Sequence, residues 1–163
     1  ILPLITGKIT NKLKLRVACY YGCLLVRPQN IVKTPRFEDP LVMEDIITKC
    51  GGSPVEWNFK TECCGASLSI TRNDISSKLS ARILADAVEK KAEVIAVACP
   101  MCHSNLDMRR PEINSVLDNE NNTPVLFITQ LIGLALGIPE EKLGLQRIFV
   151  PFRQEKTRVA TAG

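Results

Sequence analysis

Thiols are the reactive side chains that stand out in this 163-residue chain. Five of its seven cysteines form three groups: Cys23, then Cys63-Cys64-Gly65, then Cys99-Pro100-Met101-Cys102. Between Cys23 and Cys63 lie 39 residues, and between Cys64 and Cys99 lie 34, each about the length of one βα unit. Groups spaced in this way converge when the strands before them are parallel, because loops at the carboxyl ends of neighbouring strands lie side by side. Soft thiolates select zinc or iron-sulfur centres over harder ions. A structural zinc ion takes four ligands, commonly from two short Cys-x-x-Cys knuckles, whereas this chain has one such knuckle and one directly adjacent pair. Five converging thiols exceed what a single tetrahedral ion uses. Gly65 would let backbone come close to a bulky inorganic group and offer N–H groups to its sulfides. A metal-free dithiol pair, Cys99 with Cys102, is a weaker alternative, since it leaves Cys23, Cys63 and Cys64 without a role.

Cys50 lies on the apolar stripe of an expected helix and reads as core packing. Cys19 reads either as an inward-facing strand residue or as a spare thiol for zinc. His103, the single histidine, directly follows the Cys-x-x-Cys and is either a proton donor beside the site or a helix-surface residue. Arg27, Arg72, Arg109 and Arg110 are candidates for holding an anion on the same rim, or else solvated charges. Trp57, Met43 and Ile46 read as core. An odd number of cysteines fits no closed disulfide framework, and the chain is long enough to bury a core without one, so a reducing, cytoplasmic setting is expected.

Positioning these groups requires strands that end at each of them. Residues 13–21 alternate, with Leu15, Val17 and Cys19 on one face, and run into Gly22-Cys23. Asp39 and Pro40 suit the N-cap and first position of a helix carrying Met43, Ile46, Ile47 and Cys50, stopped by Gly51-Gly52. Residues 54–58 form a second strand feeding Cys63-Cys64-Gly65. A helix over residues 74–91 follows, with Ile75, Leu79, Ile83, Ala87 and Val88 as its apolar stripe. Residues 94–98 read as a strand buried on both faces and deliver Cys99. Pro100 opens a helix reaching toward Arg110, which places Cys102 in the first turn, where the helix dipole favours a thiolate. A last strand over residues 125–128 leads into a helix capped by Thr129 and ended by Gly137. The expected fold is therefore α/β: a small parallel sheet of about four strands flanked by helices, with the cysteine loops at the carboxyl ends of the strands. Residues 1–14 read as a linker remnant or amino-terminal extension, with an apolar face expected to be exposed near Ile1 to Ile9, 15–150 as the cysteine-rich domain, and 151–163 as a mobile tail.

Lys and Arg outnumber Asp and Glu by only 21 to 17, spread along the chain, which argues against a nucleic-acid footprint. No apolar run approaches the roughly 20 residues a transmembrane helix needs.

The segments Tyr20-Tyr21-Gly22-Cys23 with Arg27-Pro28, Glu62-Cys63-Cys64-Gly65-Ala66, and Cys99-Pro100-Met101-Cys102-His103-Ser104-Asn105-Leu106-Asp107 together resemble the cysteine-rich CCG domain of heterodisulfide reductase. The likeness is to the carboxy-terminal half of the reductase component that carries two such domains in tandem, and it runs from about residue 15 to residue 137. It implies a noncubane 4Fe-4S cluster held by Cys23, Cys63, Cys64, Cys99 and Cys102, with zinc as the alternative metal. It further implies an oxidoreductase subunit or fragment acting on disulfide and thiol groups, with His103 and Arg27 as candidate catalytic side chains. Because family members carry the domain twice, this single domain is expected to be inactive alone. The partners it implies are a second CCG domain, a ferredoxin-like subunit carrying cubane clusters, and a small disulfide or other acceptor. The location it implies is cytoplasmic, free or peripheral to a membrane complex. The rival is a zinc-binding structural or interaction module of a CCG-containing dehydrogenase complex of the succinate:quinone type.

Overall fold

Four strands pair in parallel in the order β2-β1-β3-β4 in the computed structural model, which describes residue 5 and residues 7–34, 36–117 and 120–153. They are β1 (Arg16–Tyr20), β2 (Ser53–Pro54), β3 (Val94–Val97) and β4 (Val125–Phe127). All four β3 residues, Val-Ile-Ala-Val, are buried, as a β-branched run covered on both faces should be. Register pairs Val17 with Val94 and Tyr20 with Val97, so β1 and β3 end level with each other. Among the described residues the α-helices are α1 (Gln29–Val32), which buries no side chain, and α2 (Val42–Lys49), α3 (Asn73–Glu89), α4 (Pro100–Asp107), α5 (Arg110–Asn114) and α6 (Ile128–Ala135), which pack on the two cores.

The two-residue period of the strands divides the core. Val17, Cys19, Val94, Ala96 and Leu126 point into one cluster beneath α2 and α6, while Ala18, Tyr20, Ile95, Val97 and Val125 point into another beneath α3, α4 and α5. Cys50 joins Cys19 in the first cluster; Cys64, Cys99 and Cys102 lie in the second.

Several boundaries differ from the sequence reading, each for a local reason. Helix α2 starts at Val42 with Leu41 as N-cap, because the Asp39 carboxylate is engaged by Arg36 at 2.6 Å and Lys60 at 2.7 Å. Helix α1 is a one-turn element after Pro28 that no periodicity announces. Strand β2 is short, since beyond Val55, whose N–H still donates to the Val17 carbonyl at 2.9 Å, Trp57 turns inward and donates its indole N–H to the Cys19 carbonyl at 3.1 Å. The stretch from Pro100 is two helices, with Pro111 in the first turn of α5. Gln130 caps α6 instead of Thr129, its Oε1 accepting the Phe127 N–H at 2.8 Å. Val88 is half exposed, and the inward face of α3 carries Ser76, Ser77 and Ser80.

Ile5 is buried and Ile9 packs against the first core, so the described part of the amino-terminal segment covers apolar surface instead of exposing it. The N–H groups of Thr10 and Asn11 donate to Ala135, and that of Leu13 to Cys50. At the other end Phe152 is buried, and the Asp107 carboxylate accepts the N–H groups of Phe149 and Val150 at 2.7 and 3.1 Å. Residues 1–4 and 6 of the expected linker remnant, and 154–163 of the expected tail, lie outside the described residues. No helix among the described residues is long and apolar enough to cross a membrane.

Candidate functional site

Strand order reverses between β1 and β3, and open parallel sheets place ligands in the crevice outside the carboxyl ends at such a point. Cys23 follows β1 and Cys99 follows β3, so the first and third cysteine groups flank that crevice. The second group is brought to it by hydrogen bonds to β1. The Lys60 carbonyl accepts the N–H groups of Tyr21 at 2.8 Å and Gly22 at 3.1 Å, and the Tyr20 hydroxyl donates to the Glu62 carbonyl at 2.7 Å. These bonds hold residues 60–62 against the end of β1, directly before Cys63.

The sulfurs meet in pairs. Cys23 Sγ lies 3.9 Å from Cys63 Sγ, and Cys64 Sγ lies 3.7 Å from Cys102 Sγ. Cys99 is the N-cap of α4 and Cys102 stands in its first turn, so the start of one helix carries both thiols of the knuckle. Cys63 is exposed, Cys23 half-buried, and Cys64, Cys99 and Cys102 are buried, which gives the array an open side and a closed side. Among the described residues no group of three or more His, Cys, Asp or Glu side chains is arranged to hold a metal ion. The contacts seen are pairwise.

Backbone shape makes the pairing possible. Gly22 has φ +64°, and a Cβ there would stand 2.9 Å from Cys102 Sγ. At Gly65, with φ +78°, a Cβ would come within 3.0 Å of Ser76 Cα, so this glycine lets the Cys63-Cys64 loop lie directly on α3, while its N–H donates to Cys63 Sγ at 3.4 Å.

Electrostatics separate the sulfurs. Cys64 is held well below the ordinary thiol range by its hydrogen bond with the Cys102 thiol and, against the cost of burial, by the Ala66 N–H and the nearby Tyr20 and Asn105 dipoles. Cys102 is correspondingly pushed up by that hydrogen bond and by burial. The dipole at the start of α4 is thus outweighed at Cys102: within the pair, Cys64 is the sulfur held low and Cys102 the one pushed up. Burial and the neighbouring Cys63 raise Cys23. Cys19, fully buried on the opposite face of the sheet, is raised above the ordinary thiol range by burial and by Glu44, and Cys50 is raised by burial. Both are core residues.

His103 stacks on Phe127, ring centroids 4.3 Å apart, and burial lowers its pKa, so the ring is neutral at neutral pH. Arg27 is exposed, and its backbone N–H donates to the Cys23 carbonyl at 2.9 Å, which keeps it on the Cys23 side of the rim. Arg72 pairs with Asp74 and Arg109 approaches Glu112 at 4.0 Å. Arg110 is buried and spends its guanidinium on the carbonyls of Leu106, Asn121 and Thr123.

Sequence reasoning passed over Tyr20, Ser76, Ser80 and Asn105. Asn105 is three residues after Cys102 and therefore on the same face of α4. Its Nδ2 donates to the Cys64 carbonyl at 2.8 Å and to Ser80 Oγ at 2.9 Å; Ser80 Oγ in turn donates to the same carbonyl at 3.0 Å, and Ser76 Oγ donates to Asn105 Oδ1 at 3.2 Å. A polar residue at that spacing from a cysteine, opposite serines spaced four apart, was the available signal.

The chain is similar to known proteins over the part that carries these cysteines. The family described as CCG, cysteine-rich domain, matches residues 17–107, which contain all five array cysteines. The chain is 30% identical over 131 residues to the 8-methylmenaquinol:fumarate reductase membrane anchor subunit of Wolinella succinogenes, covering 80% of this chain and 46% of that protein. It is 30% identical over 141 residues to a subunit of the ferredoxin:CoB-CoM heterodisulfide reductase of Methanosarcina mazei, covering 85% of this chain and 47% of that one. The chain thus spans about half the length of the curated relatives it matches. A crystal structure of a hypothetical protein from Helicobacter pylori superimposes with a TM-score of 0.69 over 93% of this chain and 28% of its own, at 11% identity, and so shares the fold. With three cysteine loops on one rim of a parallel sheet and a match that spans every one of them, the chain belongs to the CCG cysteine-rich domain family.

Proposed function

We propose that this chain is one cluster-binding half of a heterodisulfide reductase-like oxidoreductase, holding a noncubane 4Fe-4S cluster through Cys23, Cys63, Cys64, Cys99 and Cys102. The observation that carries the reading is the sorting of the cysteines. Five thiols from three separate loops gather at the reversal point of the sheet, while the two spare thiols lie in the core on its other face. Paired sulfurs would suit a group with several metal centres better than a single ion that needs four donors around one point.

The reaction consumes two electrons and two protons for each disulfide cleaved to two thiols. The cluster, when bound, supplies electrons and a thiophilic metal for substrate sulfur. The chain's own residues prepare the site. Cys64, held below the ordinary thiol range, gives up its proton more readily than a free thiol, which favours metal ligation. Cys63, exposed, and Cys23, half-buried, leave the open side for substrate, with Arg27 next to them as a contact for an anionic group. His103, neutral and half-buried, holds one ring proton next to the Cys-x-x-Cys. A second CCG domain, from the remainder of a longer chain or from another subunit, would face the other substrate sulfur. A ferredoxin-like subunit would deliver electrons, on the cytoplasmic side, free or peripheral to a membrane complex.

Anaerobic preparation of the chain tests this. The protein should be brown, with about four irons and matching acid-labile sulfide per chain. Cys63→Ala and Cys64→Ala should lose the colour, and Cys50→Ala should keep it. A colourless protein holding one zinc and no sulfide after anaerobic reconstitution would instead make it a zinc-binding structural module. Viologen-driven disulfide reduction should appear only when the chain is paired with a matching first domain. Full turnover by the chain alone would refute the two-domain requirement.

A further inference from the structure

Asn105 sits where two of the cysteine loops must be held in register, and it does so with no charge and no exposed atom to speak of. It is 2% exposed, Ser76 1% and Ser80 0%. The three side chains make a closed set of hydrogen bonds whose terminus is the carbonyl of Cys64, which receives both the Asn105 amide and the Ser80 hydroxyl. The amide is one group that touches three elements at once: α4, which is capped by Cys99 and carries Cys102; α3, which carries the serines; and the irregular loop of Cys63 and Cys64. A loop outside helix and sheet has no ladder to satisfy its carbonyls, so a buried donor fixes its position more firmly than packing alone. Two donors on one carbonyl also remove its rotational freedom, and the Cys64 side chain leaves the backbone at the next atom.

We propose that Asn105, supported by Ser80 and Ser76, is the positioning residue of the array: it sets the Cys64 loop against α4 so that Cys64 and Cys102 face each other at bridging distance. Cys99 and Cys102 need no such aid, because Cys99 caps α4 and Cys102 lies in its first turn. The clamp therefore decides which pair of buried thiols acts together. The inference rests on the proposed role of the array as a ligand set, but its consequence is a property of the metal-free chain.

A trivalent arsenical, phenylarsine oxide, reads that property directly, since its arsenic takes two thiols, forms two As–S bonds and releases one water with no change of oxidation state. The reduced, metal-free, full-length chain is treated anaerobically, and bridged pairs are mapped by mass spectrometry after digestion. The wild type should bridge Cys64 to Cys102. In Asn105→Leu, which keeps the volume and removes the donors, the ratio of Cys64–Cys102 to Cys99–Cys102 bridging should fall about tenfold, in line with losing buried hydrogen bonds. Ser80→Ala, which removes one donor and leaves the amide, should lower the ratio about threefold and serves if the Leu variant does not fold. A merely structural residue would lower stability and leave the ratio unmoved, so an unchanged ratio in a folded variant overturns the proposal. Iron and sulfide content of the wild type tests the cluster separately, so the two can fail independently.

Discussion

Replacing Gly22 by alanine probes whether the Cys102 sulfur is packed against the end of β1 as tightly as the structure has it. Two costs are expected. Gly22 has φ +64°, a conformation that costs a residue with a Cβ about 1 kcal/mol. The new Cβ would also stand 2.9 Å from Cys102 Sγ. The sulfur cannot swing clear cheaply, because Cys102 is in the first turn of α4, whose Leu106 is fully buried and whose Asn105 is bonded to the opposite loop. Overpacking of that kind adds about 1 to 2 kcal/mol, for a total of about 2 to 3 kcal/mol. Gly144 supplies the control, since it has φ +70° with nothing within 4 Å of its would-be Cβ. Gly144→Ala should cost the conformational part alone, about 1 kcal/mol. Urea unfolding of the reduced, metal-free chain measures both variants, and the difference between them isolates the sulfur contact. Equal destabilisation by Gly22→Ala and Gly144→Ala would refute the close approach, and with it the claim that Gly22 exists to admit the sulfur.

Lys60→Met should destabilise the fold by about 3 kcal/mol, because it strands a mostly buried carboxylate. Lys60 bridges Asp39 at 2.7 Å and Glu44 at 2.9 Å, with the Lys60 and Glu44 side chains only 13% and 12% exposed, and Glu44 would keep the Tyr21 hydroxyl at 2.6 Å as its remaining partner. Adding Glu44→Gln to Lys60→Met should recover part of the loss, and a strictly additive double variant in urea melts would refute the coupling. The same group predicts the pH profile. Hydrogen bonds from Lys60 and then Arg36 hold Asp39 below its ordinary value of 3.8, so its contribution is present above that value and fades as pH falls further. Burial opposes the charge on Lys60, but Asp39 and Glu44 outweigh it and raise Lys60 above 10.5, so its contribution is present below 10.5 and fades as pH rises through the raised value. Urea midpoints should therefore show a shallow acid limb, because Asp39 is solvent-screened, and an alkaline limb with two parts. Buried Cys19 and Cys50, raised by burial, lower stability above 9.0 in any variant, and Lys60→Met should remove only the further fall above 10.5. An alkaline limb unchanged in that variant would assign it to other groups.

The parts of this fold that follow a strong period were legible in the chain. Val94–Val97 could hardly be anything but a central strand, and the alternation of Val17, Cys19 and Tyr21 against Ala18 and Tyr20 is the division between the two cores. Boundaries failed where a side chain had a better use than the local one. Asp39 is a good N-cap in isolation, yet it serves Lys60, 21 residues away, and no local pattern reports that. Thr129 lost its capping role to Gln130, whose longer side chain reaches back to the Phe127 N–H. The cysteine groups were legible from spacing alone. Which cysteine is held low was not, because that depends on Cys102 and Ala66 arriving beside Cys64 through contacts that only folding creates.

The misjudged stripe of α3 has a physical reason that bears on the site. One helix here serves two different neighbours. Toward its carboxyl end Ile83, Leu84 and Ala87 meet the sheet, whose backbone groups are already paired, and an apolar face is the right complement. Toward its amino end Ser76 and Ser80 meet the Cys63-Cys64 loop, whose carbonyls have no ladder and must take donors from side chains. A hydrophobic period fitted through both halves picks Val88, which is half exposed, and passes over the serines, which are buried. The same requirement explains the Tyr20 hydroxyl on the Glu62 carbonyl at the end of β1, and the Asn105 amide on the Cys64 carbonyl in α4. Three elements each place a buried polar group at the same rim, all directed to the backbone of one irregular loop. An array held only by its ligand sulfurs would need none of them. Their presence argues that the protein fixes the cysteine loop before anything binds there, so that disrupting the clamp should alter thiol pairing in the metal-free chain.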